Sequence, residues 1–388
     1  MKNYIPREAE HTLLRYLEIF PVVGITGPRQ SGKSTLLHTV LRDKYKYVSF
    51  DSPTIVAEFR DDPERFMRIY NDRVIFDEAQ KVPEIFNYVK LAVDNDRDNY
   101  GKFILSGSSQ FTLMKQISES LAGRIGLLSL LPLQLSEVPS ELHDRSIFNG
   151  GYPELVKRGY DFSNEWYQGY IDTYLEKDLR SISDIGNIRD FFRLIKLLAA
   201  RCSQQLNYSE LANEVGVAVN TVKHWLLVLE ASYIIFMLPP FYENLGKRIV
   251  KSSKLYFYDT GLVSFLTGIE NQKQFESSVL IGPLFENYII SEIKKIVEHR
   301  KMFRDLYFFR SSSGVEVDLI IDRKSSKDLI EIKTSETFNR KFINSIEELK
   351  TSTDRGFLLY RGNSKPSTDG IEIVNYKEFL ASGLSTDL

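Results

Sequence analysis

Along the first hundred residues, short apolar runs alternate with stretches whose apolar positions recur every three to four residues. The runs are VVGIT (22–26), YKYVSFD (45–51), RVIFDEA (73–79) and KFILSGSS (102–109). STLLHTVLR, just after the first run, has helical spacing, and helical stretches separate the others. Short buried strands alternating with helices predict a parallel α/β sheet. From about residue 150 the texture changes. The tyrosine-rich DFSNEWYQGYIDTYLEKDL leads to the helical IRDFFRLIKLLAARC (188–202) and then to LNYSELANEVGVAVNTVKHWLLVLEASYIIFMLPPF (206–241). A third region opens near GPLFENYIISEIKKIVEHR (282–300), a helix with Leu284, Tyr288 and Ile289, or Ser291 to Ile293, on its inner faces. Strand patterns follow in DLYFFRSS, VEVDLIID, DLIEIKT, GFLLYRG and IEIVNY. No internal repeat, low-complexity tract or long linker interrupts the chain.

Composition changes this picture little. A chain of 388 residues accommodates two or three domains, and 43% apolar with 26% charged residues is ordinary for a globular protein. The net charge of −2 supplies no global basic field, so any contact with DNA has to be a local patch. The single cysteine, Cys202, excludes an intrachain disulfide, fits a reducing compartment, and lies in an apolar helix as a core residue. The start MKNYIPREAE has no apolar core of signal-peptide type. IGLLSLLPLQL (125–135) is too short to span a bilayer and contains Pro132. The expectation is a cytoplasmic protein without a membrane segment.

GPRQSGKS (27–34) fits G-x-x-x-x-G-K-[ST] at every fixed position, after a strand and before a helix. Gly27 and Gly32 let the backbone of Pro28, Arg29, Gln30 and Ser31 curl toward Thr35, so that the loop's N–H groups, all but the missing one of Pro28, converge on phosphate oxygens, helped by the helix dipole. Lys33 is expected to bridge the β- and γ-phosphates of ATP, and Ser34 to ligate Mg²⁺. VIFDEAQ (74–80) ends an apolar strand in two acids, where ligands bind in open α/β sheets. Asp77 is expected to hold Mg²⁺ and Glu78 to orient or deprotonate the attacking water. Ser106 and Ser108, at the end of a third strand, either sense the γ-phosphate or simply make a turn. Arg124 either supplies transition-state charge or serves as ion-pair scaffolding. Arg29 either meets phosphate or pairs with Asp51.

GPRQSGKSTLL, YVSFDSP, VIFDEAQKVPEIF, LSGSSQF, SLAGRIGLLSLLPLQLSE and GGYPE, in this order, resemble the bacterial and archaeal AAA-type ATPases that carry a DUF4143 C-terminal region. The likeness runs over nearly the whole chain. The phosphate loop is shared by many families; the later segments make the resemblance specific. It implies an AAA-like ATPase core, a winged-helix segment and a restriction-endonuclease-like domain.

The residues of the middle and last regions support their own readings. In YSELANEVGVAVNTVKHWLLVLE, Leu211, Ala212 and Val215 share one helical face, Gly216 closes that helix, and Val222, Leu226 and Leu229 repeat on the next. This is the helix-turn-helix pattern. Asn220, Thr221, Lys223 and His224 fall on the outward face of the second helix and either contact DNA or leave the module to regulate the ATPase. In GVEVDLIIDRKSSKDLIEIKTS (314–335), Glu331 and Lys333 share a strand face and Asp318 lies on the neighbouring strand. Two carboxylates and an ammonium at one point outline metal-dependent phosphodiester hydrolysis with Mg²⁺ or Mn²⁺. The D-x12-E-x-K spacing resembles the restriction-endonuclease-like signature, and Glu286 resembles that fold's additional acid. The bland alternative is an amphipathic surface strand. His11, His38, His143, His224 and His299 have no ligand spacing.

The expected organisation is an ATPase domain over 1–145, a helical region over 146–275 with a winged helix at about 203–260, and a nuclease-like domain over 276–388. The expected function is Mg²⁺-dependent ATP hydrolysis as a nucleotide switch on double-stranded DNA, with a metal-dependent nuclease at the C-terminus and ATP or ADP as ligand. The alternatives are a regulatory switch whose last domain binds without cleaving, and an antitoxin-like or defence-related protein binder. Homo-oligomerisation stays open.

Overall fold

Val22–Thr26 (β1) is buried at all five positions, as befits a central strand with no polar face. Lys46–Ser49 (β2), Val74–Asp77 (β3), Phe103–Ser106 (β4) and Ile125–Ser129 (β5) complete a sheet of order β2-β3-β4-β1-β5. Every pairing in it is parallel, so the expected parallel α/β sheet is present. The structure is a computed structural model and describes residues 4–107, 110–175, 187–242 and 252–384. β5 lies within IGLLSLLPLQL; that run is apolar because it forms a sheet strand and then continues into the core as buried Leu130, Leu131, Leu133 and Leu135. Phe50, Phe66, Phe76 and Phe103 stack on one face of the sheet, and Leu13, Leu36, Leu37 and Leu41 cover the other.

The middle region is helical. Ile188–Ala200, Tyr208–Val215 and Val219–Ala231 are followed by the antiparallel pair Ile235–Leu238 (β6) and Lys254–Phe257 (β7). The Asn207 side chain caps the second helix by accepting from the Ser209 and Glu210 N–H groups, and Gly216 closes it at φ 85°. The turn to the next helix is therefore short, as the sequence implied.

The last region begins with the helix Ile281–Arg300, buried on most of its surface. Asp305–Arg310 (β8), Glu316–Asp322 (β9), Lys327–Lys333 (β10), Arg355–Tyr360 (β11), Lys365–Thr368 (β12) and Ile371–Asn375 (β13) form a second sheet of order β12-β13-β11-β10-β9-β8. It is mixed: β8–β9–β10 pair antiparallel, whereas β10–β11–β13 pair parallel. β12, KPST, carries no apolar pattern and pairs only at the edge.

Polar contacts tie these regions together at the segment after β5. His299 Nε2 accepts from the Leu131 N–H at 3.1 Å, Lys295 donates to the Leu133 carbonyl at 3.1 Å, and Glu292 accepts from the Leu135 N–H. Leu133 also donates to the Gly151 carbonyl at 2.7 Å, and the Gly151 N–H donates to the buried Asp259 at 2.7 Å. No helix among the described residues is long and apolar enough to cross a membrane.

A Cβ on Gly151 would lie 2.3 Å from the Leu133 carbonyl oxygen, inside backbone rather than beside a flexible side chain. Gly151→Ala is expected to lower stability by about 2–3 kcal/mol, the usual cost of overpacking a tight contact. Chemical denaturation measures it; an unchanged midpoint would mean that the two backbones can part at no cost.

Candidate functional site

GPRQSGKS turns at the carboxyl end of β1. Gly27 (φ 138°) and Gly32 (φ 96°) take angles that favour glycine, and a Cβ on Gly27 would fall 2.1 Å from the Leu130 carbonyl oxygen. The helix Lys33–Leu41 starts directly behind Gly32, so its unpaired first N–H groups open onto the turn. Lys33 Nζ donates to the carbonyls of Gly27 at 2.9 Å and Pro28 at 2.8 Å, arching the loop. Ser34 Oγ donates to Asp77 Oδ2 at 3.2 Å. Asp77 also accepts from Ser106 Oγ and from Tyr47 Oη. The parallel register explains this meeting, because β1, β3 and β4 end at one edge. A hydroxyl and a carboxylate side by side are the hard oxygen donors that Mg²⁺ takes, so this pair fits the ion. Burial, reinforced by Asp77, pushes the Tyr47 phenol above its ordinary pKa and keeps it a donor. Glu78, in a left-handed conformation at φ 54°, accepts from Gln80 Nε2.

The loop and Glu78 face a cleft of about 600 Å³. Arg29, Gln30, Gly32, Lys33, Ser34, Thr35 and Glu78 form one wall. The opposite wall is Pro153, Glu154, Lys157, Arg158 and Trp166, from the helices Pro153–Lys157 and Ser163–Tyr170 and the turn between them. Arg158 Nε pairs with Glu154 Oε1 at 2.7 Å, and Trp166 stacks on Tyr170 with ring centres 5.3 Å apart. The sequence reading missed this wall; GGYPE marked where it begins, but nothing local says that it faces the loop.

Other expectations divide. Arg124 precedes β5 and its carbonyl accepts from the Val22 N–H, so it stands at the amino end of the sheet, away from the loop. Its guanidinium pairs with Asp94 at 2.8 and 3.1 Å. The nucleotide-binding assignment of Arg124 is therefore corrected to scaffolding. Asp51 pairs with Lys81, while Arg29 lines the cleft. Ser108 lies outside the described residues. Asn220, Lys223 and His224 are exposed and Thr221 is half-buried, so all four reach the outer face of their helix. Glu210 and Glu214 pair with Arg201 at 3.1 and 2.6 Å. His299 is a buried structural residue, its nitrogens engaged by Leu131 and Gln134.

The C-terminal acids meet. Leu319 faces Ile330 across the β9–β10 ladder, which brings Asp318 beside Glu331, and Asp318 Oδ2 accepts from the Ile332 N–H at 2.8 Å. Lys333 Nζ pairs with Glu331 and lies 3.8 Å from Asp318. Glu286, on the helix Ile281–Arg300, accepts from Tyr256 Oη at 2.7 Å and Lys254 Nζ at 3.1 Å. Burial first, then the Asp318 charge, pushes Glu331 up to about 8 and Glu286 up to about 7. Glu331 Oε2 is buried without a hydrogen-bond partner. The donors suit a hard divalent cation, yet among the described residues no three acid, histidine or cysteine side chains cluster closely enough to hold one in this conformation. Lys254, Tyr256 and Glu316 belong to this site and were missed by the sequence reading.

Models of three families match the chain in succession: an AAA domain over residues 20–139, a domain of unknown function (DUF8612) over 140–273, and a domain of unknown function (DUF4143) over 281–379. The uncharacterised protein Rv2008c of Mycobacterium tuberculosis is 30% identical over 387 residues, covering 98% of this chain and 86% of that protein. The chain belongs to the AAA-domain family with a DUF4143 C-terminal region. Within this family, the uncharacterised protein MJ1544 of Methanocaldococcus jannaschii is 23% identical over 362 residues, covering 84% of this chain and 77% of the relative. Among solved structures, the Walker-type ATPase PABY2304 of Pyrococcus abyssi aligns with a TM-score of 0.48 at 18% identity, over 68% of this chain and 96% of that one. The AAA domain of the DUF4143 family member described here carries the phosphate loop and both acids of β3 within its matched range.

Cys202 is buried, and that burial pushes its thiol up to about 12. It is therefore protonated in the folded protein at pH 8. A thiol reagent such as DTNB is expected to react at least about tenfold faster in denaturant than in buffer, because the thiolate is the nucleophile. Equal rates would place the sulfur at the surface.

Proposed function

We propose that this protein is a Mg²⁺-dependent ATPase that works as a nucleotide switch on DNA, built from units at 1–145, 146–275 and 276–388. The observation that carries the ATPase reading is the contact of Ser34 with Asp77 at 3.2 Å, directly beside the phosphate loop. ATP phosphates lie against the loop N–H groups of Gly27 to Thr35, and Lys33 exchanges its two carbonyl partners for phosphate oxygens. Ser34 and Asp77 would hold Mg²⁺, which would offset phosphate charge when bound. Ser106 and Tyr47 keep Asp77 in position through their hydrogen bonds. Glu78 orients the attacking water or takes its proton. Arg29, Lys157 and Arg158 add positive charge around the cleft.

Lys33→Ala is expected to lower ATP turnover by at least about a hundredfold with an unchanged circular dichroism spectrum, since the ammonium stabilises transferring charge. Glu78→Gln is expected to bind ATP and hold it unhydrolysed in a filter-binding assay. Normal turnover in the first variant, or no retained ATP in the second, would remove the respective role.

The DNA reading rests on the three helices with the β6–β7 pair, a winged-helix arrangement. Asn220, Thr221, Lys223 and His224 are the contacts. Arg201 offsets Glu210 and Glu214 nearby, and Lys223, exposed and 5.8 Å from the Tyr208 ring centre, supplies a positive charge for phosphate on that face. In the last unit, Asp318, Glu331 and Glu286 would hold Mg²⁺ or Mn²⁺ once drawn together, the metal would offset phosphate charge and acidify a water, and Lys333 would help position that water. Wild type is expected to nick supercoiled plasmid with either metal; Asp318→Ala abolishes nicking and Lys33→Ala does not. A second reading, in which this unit binds but does not cleave, is favoured by the two lysines that already pair with the acids. Absence of metal-dependent nicking by the wild type selects it.

A further inference from the structure

The acidic site of the second sheet receives one of its cations from outside that sheet. Lys254 stands on β7 and is 4% exposed. Its Nζ is 3.1 Å from Glu286 Oε1 and 2.7 Å from Glu316 Oε1. Tyr256, on the same face of β7, donates to the same Glu286 oxygen. Lys333 meanwhile engages Glu331 and Asp318. Two ammonium groups thus stand among four carboxylates, with the Arg310 guanidinium 3.9 Å from Glu316 at the outer side, and Glu331, 8% exposed, keeps one oxygen without a partner. Its lysines stand between the acids, which among the described residues do not close on a common point.

A divalent cation drawn to Glu286 would meet the Lys254 ammonium at the same oxygen. In a buried setting like charges at such a distance exclude one another. We propose that Lys254 is the resident counter-cation of this site and competes with a divalent metal for Glu286, so that the β6–β7 pair sets the metal affinity of the last unit. This rests on the reading of Asp318 and Glu331 as metal ligands. Removing the ammonium frees Glu286 to join them.

Mn²⁺ binding to the full-length chain, followed by calorimetry and by the signal of free Mn²⁺ in electron paramagnetic resonance, tests this. Lys254→Met and Lys254→Gln are each compared with the same variant also carrying Asp318→Asn, which separates this site from the one at Ser34 and Asp77. The glutamine variant keeps a donor for Glu286 in case the methionine variant does not fold. The expected result is Asp318-dependent Mn²⁺ binding at least tenfold tighter than in the wild type. Asp318-dependent binding that is equal or weaker overturns the counter-cation role and leaves the metal site standing. No Asp318-dependent binding in the wild type or either variant overturns both.

Discussion

All five strands of the first sheet run the same way, and the nucleotide cleft depends on that constraint. Parallel pairing brings the carboxyl ends of β1, β3 and β4 to one edge, where Thr26, Asp77 and Ser106 follow from register. Asp77 is nearly buried there, and a buried carboxylate has to be hydrogen-bonded. Ser34, Tyr47 and Ser106 supply three hydroxyl donors from three elements. The phosphate loop is thereby braced against the acid before any ligand arrives.

The same edge is where the rest of the molecule attaches. Arg7 donates to the Ser31 carbonyl in the phosphate loop at 2.8 Å and to the Leu131 carbonyl at 2.7 Å, and it pairs with the buried Glu137 at 3.2 Å. The segment from Leu131 to Leu135 is also bonded by His299, Lys295 and Glu292 of the helix that carries Glu286. Tyr233, at the end of the second helix of the helix pair, bonds Thr26 Oγ1 at 2.7 Å, one residue before Gly27. Rearrangement of the loop therefore has short, buried routes toward both other regions. Beyond β6, the Phe241 N–H donates to the Phe308 carbonyl and the Phe308 N–H to the Pro239 carbonyl, joining the β6–β7 pair to β8. Loop, hairpin and acidic site are consecutive neighbours in space.

Charge is handled differently at the two candidate sites. At the phosphate loop the lysine rests on carbonyl oxygens, partners that a phosphate can replace at little cost. At the second sheet both lysines rest on carboxylates, which are stronger partners when buried. The first arrangement favours ready ligand entry; the second holds each ammonium in place on its carboxylates.

By itself the sequence determined what is local. Short apolar runs specified β1 to β4, Gly27 and Gly32 specified a turn whose angles favour glycine, and period-two alternation put Glu331 and Lys333 on one face. Asn207 and Gly216 set the ends of the helix before the exposed one. These follow from covalent geometry and from the need to bury apolar surface, which act over a few residues. Only the tertiary structure decided which distant groups meet. Arg124 looks like a catalytic cation in SLAGRIG, but the direction of β5 sends it to the far edge and onto Asp94. Trp166 and Arg158 reach the cleft because Gly150 and Gly151 pack against Asp259, a contact between residues more than a hundred positions apart. Lys254 joins Glu286 and Glu316 because a buried ammonium must find carboxylates, and only the folded chain offers them.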